Sequence, residues 1–189
     1  KSMENKLEQP LRKAITFLET HNLRYAVIGG IALTHWGFVR ATHDVDIKVL
    51  VPDMNFAAVR AAIHQAFPVP VRSQGPPNPF ITAVNIDGVI VDFLLSLPGY
   101  EENIISRAIQ RDMGGWTAWV CSIEDLIIQK AVAGRAKDWE DIEGLLIEQR
   151  GRLDVSYITE WLIQFAEALE KPELLTQYAK LHDDVRKLK

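Results

Sequence analysis

Two carboxylates set two residues apart inside a short apolar run constrain this chain more than anything else in it. Asp44 and Asp46 alternate with Val45, Ile47 and Val49, and Lys48 continues the polar phase. This is the period-two pattern of a strand with one buried face, expected over Val45–Val51 and closed by Pro52-Asp53. Residues two apart in a strand point the same way, so both carboxylates leave the same face of a sheet. Side by side they repel, and burial adds to the cost of charging each of them. A hard divalent cation such as Mg²⁺ offsets that cost, because it takes oxygen ligands and needs only one or two carboxylates beside phosphate oxygens. A helix-loop-helix calcium loop is excluded, since Lys48 stands at the third ligand position and no glycine follows it.

The segments on either side add two features in a fixed order. Upstream, Tyr25 to Ile28 reads as a short apolar strand closed by Gly29-Gly30, with a helix expected over Ile31 to Phe38. Downstream, Asp87-Gly88 is a strong hairpin turn between strands at Phe80–Ile86 and Val89–Leu95. The second of those strands is apolar except for Asp92, and an isolated carboxylate there is expensive unless it is paired or bound to metal. Each feature alone suits a tight turn or an exposed strand residue. The order strand, Gly-Gly, helix, Asp-x-Asp strand and later Asp strand is much harder to reach by chance.

The rest of the chain frames this region. Helices are expected from residue 4 to about 22, where Pro10 falls in the first turns, and over Met54–Phe67 and Glu101–Gln110. Pro68, Pro70, Pro76, Pro77 and Pro79 with Gly75 make residues 68 to 79 a loop or irregular edge. Trp116 to Val120 reads as a strand. From Ser122, which with Asp125 has the Ser-x-x-Asp spacing of a helix cap, helices are expected near 123–134, 137–149, 155–169 and 172–187. The expected fold is therefore mixed α/β (α+β): a small mixed sheet flanked by helices over 1–120, and a helical C-terminal region over 121–189 packed on it without a flexible linker.

Composition removes several classes of function. Hydrophobic residues make up 48% and charged residues 24% of 189, which is ordinary globular usage and excludes a disordered chain or a coiled-coil rod. A formal net charge of -4 argues against coating nucleic acid or membrane by bulk charge, though not against a local basic groove. The single cysteine, Cys121, excludes an intramolecular disulfide and any CxxC cluster, and His21, His35, His64 and His182 are too scattered to suggest zinc. No apolar run is long enough to cross a membrane, and the start KSMENKLEQP shows no secretory signal. Lys1 and Ser2 before Met3 read as an added remnant, and the expected location is cytoplasmic.

Taken together, these residues resemble the nucleotidyltransferase superfamily of the DNA polymerase beta type, in which a glycine turn precedes an Asp-x-Asp strand and a later strand adds a third carboxylate. More narrowly, Ile28-Gly29-Gly30-Ile31-Ala32-Leu33, then Gly37, Arg40, Thr42, Asp44 and Asp46, is similar to the AbiEii-type toxins and related bacterial nucleotidyltransferases. Glu124-Asp125-Leu126, Lys130, Ala133, Arg135, Lys137-Asp138, Asp141-Ile142 and Leu145 extend that likeness, which covers about residues 23 to 146.

The resemblance implies a Mg²⁺-dependent enzyme that moves a nucleoside monophosphate from an NTP, such as ATP, to an acceptor hydroxyl. Asp44, Asp46 and Asp92 would hold one or two Mg²⁺ ions. Gly29 and Gly30 would let the backbone approach the phosphates. Lys130 would bring a cation to the triphosphate, and Arg40 and Thr42 would touch phosphate or brace the loop. Asp138 and Asp141 share a helix face and are expected to orient Lys130 or Arg135 by ion pairing. Trp36 and Trp139 are candidates to line a base pocket. The acceptor stays open between RNA, protein and small molecule. For RNA, a groove could draw on Arg12, Lys13, Arg60, Arg72, Arg107, Arg111, Arg135, Lys137, Arg150 and Arg152. The partner could be a cognate antitoxin, if the chain is half of a toxin–antitoxin pair. The alternative is a catalytically inactive nucleotide-binding or protein-interaction module on the same fold.

Overall fold

The computed structural model describes residues 4–70 and 78–188; Lys1, Ser2, Met3, Arg72, Gly75, Pro76 and Pro77 lie outside them. Six strands form one mixed sheet: β1 (Tyr25–Val27), β2 (Asp44–Leu50), β3 (Ile81–Ile86), β4 (Val89–Ser96), β5 (Ile109–Asp112) and β6 (Thr117–Val120). Their order is β3-β4-β2-β1-β6-β5, with β2 parallel to β4 and β1 parallel to β6 while the remaining pairs are antiparallel. The helices are α1 (Glu4–Thr20), α2 (Gly29–His35), α3 (Phe56–Ala66), α4 (Tyr100–Ser106), α5 (Ile123–Ala133), α6 (Ala136–Glu148), α7 (Val155–Ala168) and α8 (Glu173–Lys187). Among the described residues no helix is long and apolar enough to cross a membrane.

The chain divides into two compact units, Lys1–Ala32 with Ala41–Cys121 and Leu33–Arg40 with Ser122–Lys189. In the first, one face of the sheet is the core. Val45, Ile47 and Val49 of β2 and Val91, Phe93 and Leu95 of β4 are buried there. The Leu7, Leu11, Ala14, Ile15 and Leu18 stripe of α1 is also buried, and its Phe17 meets Phe93 edge-on at 6.5 Å. Burying one such aromatic side chain contributes about 2–3 kcal/mol. The β3–β4 hairpin turns at Asp87 and Gly88, whose φ values of 52° and 82° are the left-handed pair that an Asp-Gly turn supplies.

In the second unit, α5 is capped by the Ser122 hydroxyl, which accepts from Asp125 N–H at 3.1 Å, and is closed by Gly134 in the left-handed region. The buried Asp125 carboxylate accepts the hydroxyls of Ser122 at 2.6 Å and Tyr157 at 2.8 Å, which ties α5 to α7. Gly144 of α6 is required by its neighbour, because a Cβ there would lie 2.3 Å from the Phe38 ring.

Several boundaries differ from the sequence expectation. α1 runs through Pro10 as expected and ends at Thr20, slightly before residue 22. The helix expected from Met54 begins at Phe56, since Asp53 and Met54 take positive φ in a 3-10 turn and the Asn55 side chain caps α3 by accepting from Ala58 N–H. The helix expected over Glu101–Gln110 stops at Ser106, and the next residues form β5. That strand is held by pairing with β6, Gln110 opposite Trp119 and Arg111 opposite Ala118, which outweighs its own weak strand propensity.

Candidate active site

The alternation read from the sequence is realised in β2: Asp44 and Asp46 leave the face opposite the buried Val45, Ile47 and Val49. β4 runs parallel beside it in a register that sets Asp46 against Asp92 and Asp44 against Ile90. Neighbouring strands lie about 4.8 Å apart, so the sheet brings Asp92 to the same face as the other two carboxylates. Across the hairpin, Asp92 is opposite Ala83 of β3. Asp44 is exposed, and Asp46 and Asp92 are half-buried.

The electrostatics follow from this placement. Burial, and then the charge of Asp44, push the Asp92 carboxyl above the ordinary carboxylate range. Two residues along the same face, Lys48 is almost fully buried and paired with Glu101 of α4. Glu101 also accepts the Leu97 N–H at 2.6 Å, so its carboxylate holds Lys48 against the start of α4.

Gly29 and Gly30 lie at the opposite end of β1 from Tyr25, and Ile28 N–H bonds the Asp46 carbonyl at 3.0 Å. A Cβ on Gly29 would lie 2.2 Å from Asp46 Oδ2, and Gly29 has φ +64° besides. A Cβ on Gly30 would lie 2.4 Å from Thr42 Oγ1. Thr42 Oγ1 in turn donates to Asp44 Oδ1 at 3.3 Å. The space made by the two missing side chains is therefore filled by side chains of the carboxylate segment itself.

In the second unit, Lys130 of α5 is buried, with its ammonium 2.6 Å from Asp141 and 3.5 Å from Asp138 of α6. Arg40 Nε stands 2.8 Å from the other Asp141 oxygen, and Arg135 Nε donates to Asp138 at 2.6 Å. Burial alone would push Asp138 up, but the Arg135 hydrogen bond and the Lys130 and Arg135 charges hold it below the ordinary range. The expected pairing of Asp138 and Asp141 with Lys130 and Arg135 is present, and Arg40 joins it. Trp36 and Trp139 are half-buried, and the Trp36 carbonyl accepts from Gln149 at 2.8 Å.

Several of the basic residues considered for an RNA groove have local partners. Lys13 pairs with Asp87 at 2.8 Å, Arg12 lies 5.7 Å over the Trp116 ring, Arg60 donates to the Pro79 carbonyl, and Arg150 donates to the Leu188 carbonyl at 2.8 Å.

Among the described residues no three His, Cys, Asp or Glu side chains are gathered into a ready-made metal cluster. The chemistry of the donor set nevertheless suits a hard cation: three carboxylates share one face, and Asp92 is strained toward neutrality by burial and by Asp44.

A family model described as nucleotidyltransferase of unknown function (DUF6036) matches residues 6–187. The chain belongs to this family. No curated protein matches it in sequence. Among solved structures, this nucleotidyltransferase resembles an antigenic nucleotidyltransferase-like protein from Paracoccidioides brasiliensis, with 18% identity and a TM-score of 0.57 over 93% of each chain. It also resembles the antibiotic-resistance factor ANT(2'')-Ia in solution, with 15% identity and a TM-score of 0.54 over 96% of this chain and 98% of that one. The crystal structure of ANT(2'')-Ia in complex with adenylyl-2''-tobramycin gives 15% identity and a TM-score of 0.55 over 85% and 97% of the two chains. At these identities the likeness is one of fold: the mixed sheet with flanking helices is a nucleotidyltransferase fold.

Proposed function

We propose that this nucleotidyltransferase uses Mg²⁺ and transfers a nucleoside monophosphate from an NTP to a hydroxyl of a small molecule. The observation that carries the reading is the β2–β4 register, with Asp46 opposite Asp92 and Asp44 on the same face. Asp44, Asp46 and Asp92 would hold the cation, which when bound neutralises phosphate charge and eases loss of the acceptor's proton. The acceptor oxygen attacks the α-phosphorus, the bond to the bridging oxygen breaks, and pyrophosphate leaves. A small acceptor is supported by two things: ANT(2'')-Ia is a neighbour bound to an adenylylated small molecule, and several cations that an RNA strand would need are engaged locally. We extend the proposal to Lys130 as a cation for the phosphates, its position set by Asp138 and Asp141.

The test is transfer from each labelled NTP with Mg²⁺ to a panel of hydroxyl acceptors, with small molecules, RNA and protein run side by side. Transfer that Asp46→Asn abolishes while leaving the circular dichroism unchanged is expected. Equal activity of that variant sinks the metal role, and binding of NTP without any transfer favours the inactive module. A second reading, an AbiEii-like toxin with an antitoxin partner, is favoured by the Arg40–Asp141 pair, which links the two segments carrying that likeness. It predicts growth arrest on expression, relieved by Asp46→Asn.

A further inference from the structure

The glycine pair is usually thought of as making room for phosphate, yet in this chain the room is taken. The place of the Gly29 Cβ falls on Asp46, and the place of the Gly30 Cβ falls on Thr42. These are not passive neighbours. Asp46 is one of the three carboxylates, and Thr42 hydrogen-bonds a second, Asp44. The turn after β1 therefore touches the carboxylate strand at two successive points, and the Ile28 N–H bond to the Asp46 carbonyl fixes the spacing between them.

We propose that Gly29-Gly30 is a template for the carboxylate strand, and that Thr42 is a positioning residue whose hydroxyl sets the orientation of Asp44. This rests on the metal role proposed above for Asp44 and Asp46. A Cβ placed on Gly30 would also lie 2.6 Å from Thr42 Cβ and 3.3 Å from its Cγ2, so any larger residue there would displace Thr42. Where glycine leaves it, the Thr42 hydroxyl reaches Asp44. A carboxylate oriented by a neighbouring donor presents its free oxygen in a fixed direction, and loss of such a partner commonly weakens metal affinity by 10- to 100-fold. Asp44 is exposed and carries little packing of its own, which makes this contact the more important for it.

The probe is Mn²⁺ alone, titrated into the full chain and followed by the loss of its free electron-paramagnetic signal, which needs no turnover. Thr42→Val removes only the hydroxyl and is expected to weaken Mn²⁺ binding roughly tenfold, with Thr42→Ser restoring it. Gly30→Ala, at a position without positive φ, is expected to do the same by displacing Thr42, and its effect should not add to that of Thr42→Val. Mn²⁺ affinity unchanged in Thr42→Val overturns the proposal. So does a Thr42→Ser variant as weak as Thr42→Val, or a Gly30→Ala variant that affects only NTP. Wild-type protein that binds Mn²⁺ with this pattern but transfers nothing would leave the template standing and remove the transfer activity.

Discussion

Asp92 and Asp138 are the same side chain in opposite circumstances. Asp138 is buried and surrounded by its own cations, with Arg135 and Lys130 holding its carboxyl below the ordinary range. Asp92 is half-buried, faces Asp46 across the strand pair and feels Asp44, and its carboxyl is pushed up. One unit thus neutralises its carboxylates from within. The other leaves three on one face and commits the nearby lysine, Lys48, to Glu101. Carboxylates gathered on one face, in a fold that pairs its acids closely elsewhere, suit the cation proposed above.

The sharpest way to break this contrast is Asp46→Asn. On the metal role proposed above, transfer should fall at least about a thousandfold, because the charge removed is one that would hold the cation. Thermal stability should hold, as Asp46 is only half-buried and asparagine keeps its size and shape. A Tm drop comparable to that of a core mutant would mean that Asp46 is structural.

Next in size is Lys130→Met, which leaves two buried carboxylates short of a cation. Losing one partner of a buried pair is strongly destabilising, here by about 3 kcal/mol in chemical denaturation. No change in the midpoint would show that Arg40 and Arg135 suffice.

Arg135→Ala is smaller, about 1 kcal/mol at most, because the arginine is largely exposed. Its signature lies in pH. A carboxyl whose folded pKa is lowered stabilises the protein above its unfolded value, near 3.9, and that stability disappears as pH falls through the folded pKa. Without Arg135 the acid loss should begin at higher pH in unfolding curves between about pH 5 and 2.

Asp92→Asn should have the smallest effect on stability and the opposite sign. A carboxyl raised in the fold stabilises below its unfolded pKa and destabilises once pH passes its folded value. Replacing it should raise stability at pH 7 in chelator by roughly 0.5 kcal/mol, while transfer is lost. A lower Tm in chelator would contradict the repulsion described here.

Much of this was readable in advance. Alternation alone put Asp44 and Asp46 on one face, and Asp87-Gly88 announced the hairpin that carries Asp92. Both signals are local, set by side-chain parity and by turn geometry. The β2–β4 register was not readable, because two parallel strands separated in sequence align through packing of whole faces. β5 was hidden for a related reason, its strand state coming from Trp119 and Ala118 opposite it. The contents of the glycine turn were hidden as well. A Gly-Gly pair states that space exists and does not say that Asp46 and Thr42 occupy it.

The residues before the carboxylate strand also bear on how the chain is made. Trp36, Phe38 and Arg40 find their partners in Gln149, Gly144 and Asp141, and the first of these contacts spans 113 positions. A ribosome delivers those partners only when most of the polypeptide has emerged, so a nascent chain lacks these three contacts in the segment that leads to Thr42 and Asp44. Stalled or truncated products ending before α6 should therefore build a sheet without an anchored approach to Asp44, and nucleotidyl transfer should switch on late in synthesis.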